Sequence, residues 1–252
     1  MAHILANSAA GDRNDETPSR VGAIIVAAGP ARRHQGGVTQ DGDVRWAPLA
    51  GRPVLAWTVA SIRRIGVIDD VVLVVAPDRL DDARMLEKSE RWEHITIVPA
   101  GGPRRRDAVM AGLHALSPAC QWIVVHEAAR PLVTPELIVA GLAAAEQTGA
   151  ASASEPVKET IKRVRSGVVA ETLDRSTLVL LQTPQVFERD VLLAAHQQCA
   201  PTLDPPDDAT LAVSAGIRVA TFPGGHDNLA ITTPDDIAVA EALLTQGGKQ
   251  VR

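Results

Sequence analysis

Tyrosine is absent from the 252 residues, phenylalanine occurs twice, and the aromatic fraction is only 2%. A core built from this chain must therefore be filled by Val, Leu, Ile and Ala, and a hydrophobic fraction of 46% suffices for a sizeable one. Cysteine is scarce too. Cys120 and Cys199 stand far apart with no C-x-x-C, which excludes a disulfide framework and supports no zinc site. No apolar run approaches the ~20 residues of a membrane helix, and residues 1–20 hold only His3–Ala6 as an apolar patch, so neither a spanning helix nor a signal peptide is expected. Excess positive charge is also missing: a net charge of −5 argues against a general nucleic-acid binder. Neither a G-K-[ST] phosphate loop nor a G-x-G-x-x-G fingerprint occurs. What remains is a soluble chain expected in the cytoplasm, with a disordered tail over 1–20 and one domain over 21–248.

Strand and helix patterns alternate along that domain. Ala23–Ala28, Val71–Ala76, Ile95–Pro99 and Trp122–His126 are apolar runs of strand length. Between and after them lie helical stretches at Pro53 to about Ile65, Asp81–Ser89, Arg105–Leu116 and Pro135–Gly149, the last entered from Thr134 as a cap. Such alternation predicts an α/β fold: a mainly parallel, Rossmann-like sheet with helices on both faces, whose ligands sit at the carboxyl ends of the strands. The rhythm changes after Ala150. Val157–Val164 alternates, turns at Arg165–Gly167 and returns through Val168–Leu173, the pattern of a protruding two-stranded arm at about 157–175. An isolated hairpin is marginal in water, so the arm is expected to pack on a second copy of the chain. Helices resume at Asp190–Gln198, Asp208–Ser214 and Pro234–Thr245, with a strand near Ile217–Phe222.

Several loops at the expected binding edge carry polar chemistry. After the first strand, A-A-G at Ala27–Gly29 runs toward Arg32 and Arg33, a turn whose backbone N–H groups and guanidinium charge suit a triphosphate, or equally a tight turn with solvated arginines. The third strand leads into Gly101-Gly102-Pro103-Arg104-Arg105-Arg106, a Gly-rich turn with clustered cations. Glu127 and Arg130, in H-E-A-A-R-P after the fourth strand, offer a carboxylate that could hold Mg²⁺ and a cation beside it; a helix-start carboxylate and a surface ion pair are the plainer readings. Asp227 offers a second oxygen ligand, or merely a turn. Singly these signals are weak; their shared position at one sheet edge gives them weight.

Taken in order, the segments A-A-G, L-A-G-R-P-V-L (Leu49–Leu55), A-G-G-P-R-R-R-D-A-V (Ala100–Val109), V-H-E-A-A-R-P (Val125–Pro131), E-T-I-K (Glu159–Lys162), L-D-R (Leu173–Arg175), Q-T-P-Q-V-F (Gln182–Phe187), D-D-A (Asp207–Ala209) and N-L-A-I-T-T-P-D-D (Asn228–Asp236) resemble the 2-C-methyl-D-erythritol 4-phosphate cytidylyltransferase family. The resemblance spans roughly residues 21 to 245. It implies a nucleotidyltransferase domain with a dimerising arm, and transfer of CMP from CTP to a sugar-alcohol phosphate with Mg²⁺. By the same resemblance, Arg33, Arg45 and Arg175 are catalytic; Ala27, Ala28, Gly29, Gly101, Gly102, Arg105 and Ala108 bind the nucleotide. Arg130, Thr160 and Thr183 bind the acceptor, with the arm supplying its residues across a homodimer, and Glu127 and Asp227 hold the metal.

The chain also departs from that pattern. Arg45 stands where the family has lysine, Glu127 and Glu159 where it has aspartate, Ala108 where it has serine, and Ala230 where it has lysine. Losing one contact to transition-state charge typically costs ~2.7–4 kcal/mol. Three readings follow: an enzyme acting on methylerythritol phosphate, one acting on another pentitol phosphate such as ribitol 5-phosphate, or an impaired homologue that keeps nucleotide binding.

Overall fold

Strands that are apolar on both sides are stable only when both sides are covered, and the computed structural model, which describes residues 19–29, 43–200 and 203–247, covers them with two layers of helices. Of the expected tail over 1–20, residues 1–18 lie outside the described residues, and Arg20 already belongs to β1. In chain order the elements are β1 (Arg20–Ala27), β2 (Pro48–Leu49), β3 (Arg52–Pro53), α1 (Val54–Arg63), β4 (Asp70–Val75), α2 (Leu80–Glu90), β5 (Ile95–Pro99), α3 (Arg105–Ala115) and β6 (Cys120–Glu127). There follow α4 (Pro135–Ala145), β7 (Ala150–Pro156), β8 (Lys162–Arg165), β9 (Val168–Thr172), β10 (Val179–Glu188), α5 (Arg189–Gln198), α6 (Asp208–Ser214), β11 (Ala220–Pro223) and α7 (Pro234–Gly247).

Seven strands form one sheet in the order β11-β7-β10-β6-β1-β4-β5. All its pairings are parallel except those of β10, which runs against both β6 and β7. Side-chain alternation along β1 divides the core in two. Val21, Ala23, Ile25 and Ala27 face a layer that contains Leu55 and Val59 of α1, Ala83 of α2, and Ile138 and Leu142 of α4. Ile24 and Val26 face the opposite layer, with Val109 and Leu113 of α3, Leu192 of α5 and Leu211 of α6. A third, smaller cluster ties Val44, Leu49 and Val54 to Ile231 and to Ala240 of α7. Among the described residues no helix is long and apolar enough to cross a membrane.

The four strands expected from apolar runs are present as β1, β4, β5 and β6, in parallel register. Two others had no local signature. β7 is A-A-S-A-S-E-P, made of small residues without alternation, and is nonetheless buried over its first five positions. β10 contains Pro184, which counts against a strand. The chain accommodates it at a break in register against β7, between Leu181 and Gln185. The late strand is shorter than expected, beginning at Ala220 rather than Ile217. Where the arm was expected, at about 157–175, the structure has a shorter two-stranded hairpin. Only Lys162–Arg165 pairs with Val168–Thr172, around a turn in which Ser166 and Gly167 have φ of 49° and 78°. All nine strand residues of this hairpin are exposed.

α3 crosses β1 closely because Gly112 has no side chain; a Cβ there would lie 2.5 Å from Ile24 Cγ2. Gly112→Ala is therefore expected to cost about 1–3 kcal/mol in urea denaturation. Gly66→Ala, where a Cβ meets nothing within 4 Å, serves as the neutral control.

His126 in β6 has no exposure, and its Nε2 donates to the Arg130 carbonyl at 3.0 Å. Burial, opposed by that hydrogen bond, lowers its pKa from 6.5 to about 4. The unfolded chain then binds a proton below pH 6.5 that the folded chain refuses until about pH 4. The neutral histidine's contribution is complete above pH 6.5 and is lost as pH falls through that window, by on the order of 3 kcal/mol in all. Denaturation across the same range should show this slope in the parent and its loss in His126→Gln.

Candidate active site

Parallel strands point their carboxyl ends at one edge, and there the structure holds a cavity of about 430 Å³. Val26 and Ala28 at the end of β1, Glu127 at the end of β6, Arg130 in the following loop and Arg105 at the start of α3 all line it. Residues 43–45, Ala129, residues 181–183 and 185 of β10, residues 204–207 and residues 230–232 complete the wall. The register places Glu127 directly beside Val26, so the two strands that bring them there are hydrogen-bonded neighbours.

The loop from His126 to Pro131 is tied from several sides. Thr58 of α1 donates to the Ala128 carbonyl at 2.7 Å, Ser61 to the Pro131 carbonyl at 2.9 Å, and Ile231 N–H to the Ala129 carbonyl at 2.8 Å. Glu127 N–H donates to Thr183 Oγ1 at 3.0 Å. Asn228, itself buried, donates through Nδ2 to Gln182 Oε1 at 3.0 Å and to the Thr183 carbonyl at 2.7 Å. These bonds, made from several elements at once, leave the loop little freedom.

Among the described residues three guanidinium groups line the cavity, each against a carboxylate. Arg45, in the short helical turn after Asp43, donates from Nε and Nη2 to the two Asp43 oxygens at 2.7 and 2.8 Å. Arg130 donates from Nε to Glu127 Oε2 at 2.9 Å and from Nη1 to the Asn228 carbonyl at 2.8 Å. Arg105 donates from Nη1 to Asp208 Oδ2 at 2.6 Å, while its buried Nε and Nη2 have no hydrogen-bond partner. Burial pushes the Glu127 carboxyl upward, but Arg130 and Arg105 outweigh it and hold the group below its ordinary range. Glu127 is thus an ionised oxygen donor facing a cavity lined by cations. That suits a hard divalent cation taking one or two carboxylates plus substrate oxygens. Among the described residues no three His, Cys, Asp or Glu side chains converge into a closed metal cage.

The structure sorts the residues expected from sequence. Ala28, Arg45, Arg105, Glu127, Arg130 and Thr183 line the cavity, as does Ala230. Arg33 lies outside the described residues. Ala27 and Ala108 are buried in the two core layers and do not line the cavity. Gly29 has φ of 90°, and a Cβ on it would sit 3.3 Å from the Arg105 backbone, so the glycine lets the β1 loop meet α3. Gly102 lies against Asp107, whose carboxylate accepts from Arg104 N–H at 3.2 Å across the first turn of α3. Gly101 is exposed beside it. Of the three consecutive arginines only Arg105 enters the cavity wall. Arg104 pairs with Asp107 at 2.9 Å, and Arg106 clamps the carbonyls of His196, Ala200 and Leu203. Asp227 is exposed and is not in the wall. Thr160 and Arg175 are exposed in and after the arm, Arg175 donating to the Lys158 carbonyl, and neither lines this cavity.

Sequence reasoning assigned no role to five buried polar residues: Gln182 and Gln185 in the wall, and His196, Asp208 and Asn228 behind it. Their segments Q-T-P-Q and D-D-A stood out only by resemblance. Their chemistry depends on partners far away in the chain.

Comparison with known proteins agrees with this arrangement. The family described as IspD, 2-C-methyl-D-erythritol 4-phosphate cytidylyltransferase, matches residues 21–246. A protein of Dehalococcoides mccartyi (strain CBDB1) with that enzyme name is 41% identical over 229 residues, which cover 90% of this chain and 97% of the relative. One from Cereibacter sphaeroides is 41% identical over 223 residues, 88% of this chain and 96% of its own. The crystal structure of 4-diphosphocytidyl-2C-methyl-D-erythritol synthase from Anaerococcus prevotii superposes with a TM-score of 0.76 at 26% identity, over 90% of this chain and 96% of its own. With most of its length matched and its strand-end loops gathered around one cavity, the chain belongs to the 2-C-methyl-D-erythritol 4-phosphate cytidylyltransferase family.

Proposed function

We propose that this protein transfers CMP from CTP to 2-C-methyl-D-erythritol 4-phosphate and releases pyrophosphate. The observation that carries the reading is the strand-end cavity in which Glu127 and Arg130 of the V-H-E-A-A-R-P loop meet Arg45 and Arg105. An acceptor phosphate oxygen attacks the α-phosphorus in line; the new P–O bond forms as the bond to the β-phosphate oxygen breaks, and pyrophosphate leaves. The protein supplies position and charge rather than proton transfer. Arg45 and Arg105, with Arg33, offset charge on the triphosphate, and Arg130 serves the acceptor phosphate while orienting Glu127. Mg²⁺, held by Glu127 together with phosphate oxygens, would neutralise charge on the leaving pyrophosphate. Asp227 does not share the cavity wall, so the metal is assigned to Glu127 alone.

Thr160 and Arg175 enter this scheme from a second chain, in a cytoplasmic homodimer. Val164, Val168 and Val169 on the hairpin and Val179, Leu180 and Leu181 on β10 are large exposed apolar residues, a surface suited to such a partner. Light scattering at micromolar concentration should give the mass of two chains, and Val169→Glu should give one chain with turnover lost. A monomeric parent would remove the cross-chain acceptor site.

Pyrophosphate release with CTP, Mg²⁺ and methylerythritol phosphate tests the reaction itself. Turnover is expected, and Ala230→Lys, which puts a cation into the wall, should raise it about tenfold or more. A silent parent with an active variant would mark a decayed enzyme. Silence in both would point to another acceptor, ribitol 5-phosphate being the first to try.

A further inference from the structure

Arg105 begins α3, yet its charge is anchored elsewhere. Its partner, Asp208, is the first residue of α6, has no exposure, and does not line the cavity. The second carboxylate oxygen of Asp208 lies 2.9 Å from His196 Nε2 on α5, and His196 is likewise buried. Burial pushes the Asp208 carboxyl upward, but Arg105 and His196 outweigh it, and its pKa stays below the ordinary value. An ionised carboxylate only accepts, so His196 Nε2 donates. Main-chain support comes from β10: the N–H groups of Asp208 and Ala209 both donate to Gln185 Oε1, at 3.1 and 3.0 Å, and Gln185 Nε2 donates to Ser152 Oγ at 3.2 Å.

This is an expensive arrangement if its only purpose is stability. A buried ion pair gives little net stabilisation against apolar replacements. Here the guanidinium also leaves Nε and Nη2 buried without partners, which adds a further penalty. Two other carboxylates draw Arg105, Glu127 first and then Asp207, and both stand in the cavity wall. If Arg105 turned to Glu127, the site would lose a cation for the ligand and its ionised oxygen donor together.

We infer that Asp208, braced by His196, is a positioning residue: it holds the Arg105 guanidinium in the cavity wall and away from Glu127, ready for the polyphosphate of a nucleotide. The inference rests on reading the cavity as a nucleotide site. Neither Asp208 nor His196 touches the ligand; both act through Arg105.

The test is a double-mutant cycle read by calorimetric titration with CTP and by steady-state turnover. Asp208→Asn keeps the shape and removes the charge; it should weaken CTP binding about tenfold while the acceptor KM moves by less than about twofold. His196→Gln should act in the same direction, by about threefold. In an Arg105→Lys background, Asp208→Asn should add less than about twofold, because its effect runs through the group already changed. Unchanged CTP affinity in Asp208→Asn would overturn the inference, as would an equal loss in both backgrounds, the mark of a merely structural role. Thermal melts check each variant, and if Asp208→Asn does not fold, the cycle of His196→Gln with Arg105→Lys decides by the same criterion. A parent that binds no CTP would instead sink the nucleotide reading, and the inference with it.

Discussion

The placement of β1 between β4 and β6 governs the rest of the molecule. Parallel pairing on both sides, with Val26 beside Glu127 and Ala27 beside Val75, brings three carboxyl ends to one level. Glu127, Arg130 and Ala28 leave from that level, and Arg105, Thr183 and Ile231 are brought to it by neighbouring elements. Because β1 is buried on both faces, a slip of one residue would exchange its two sets of side chains between unlike helix layers. The register is therefore held by the core, and the site inherits its precision from residues that never meet a ligand.

Charge management is the second theme. A cavity lined by guanidinium groups would be unstable if their charges stood alone in partly buried surroundings, and each is matched to a carboxylate: Arg45 to Asp43, Arg130 to Glu127, Arg105 to Asp208. These pairs are weak sources of net stability. Their effect is to fix cations before an anion arrives, so that little reorganisation is left for binding or reaction. Membership of the cytidylyltransferase family gives this preorganisation a role, since transfer at phosphorus depends on position and electrostatics.

Ala230 puts a short apolar side chain into the cavity wall, at a position where the sequence resemblance implies a cation. Arg45 and Arg130 each donate through two nitrogens to partners already in place. Arg105 is different. It donates through one nitrogen and retains two buried nitrogens without partners.

By itself the sequence determined the four parallel strands β1, β4, β5 and β6, because a run apolar on both faces between amphipathic helices has few other stable arrangements. It also determined that Ala28, Glu127 and Arg130 would meet, since strand ends in such a sheet share an edge. β7 and β10 were illegible: small residues and an internal proline mask a strand, and only neighbours on both sides make those segments extended. Which of Arg104, Arg105 and Arg106 would enter the cavity was likewise hidden. Their local sequence is nearly uniform, and the choice belongs to Asp107, Asp208 and the carbonyls of 196–203, partners up to 103 residues away. Periodicity reports which face of an element is buried; it carries no record of which distant charge a buried side chain will meet. Only the tertiary structure decides that pairing, because an ion pair depends on separation in space and not along the chain.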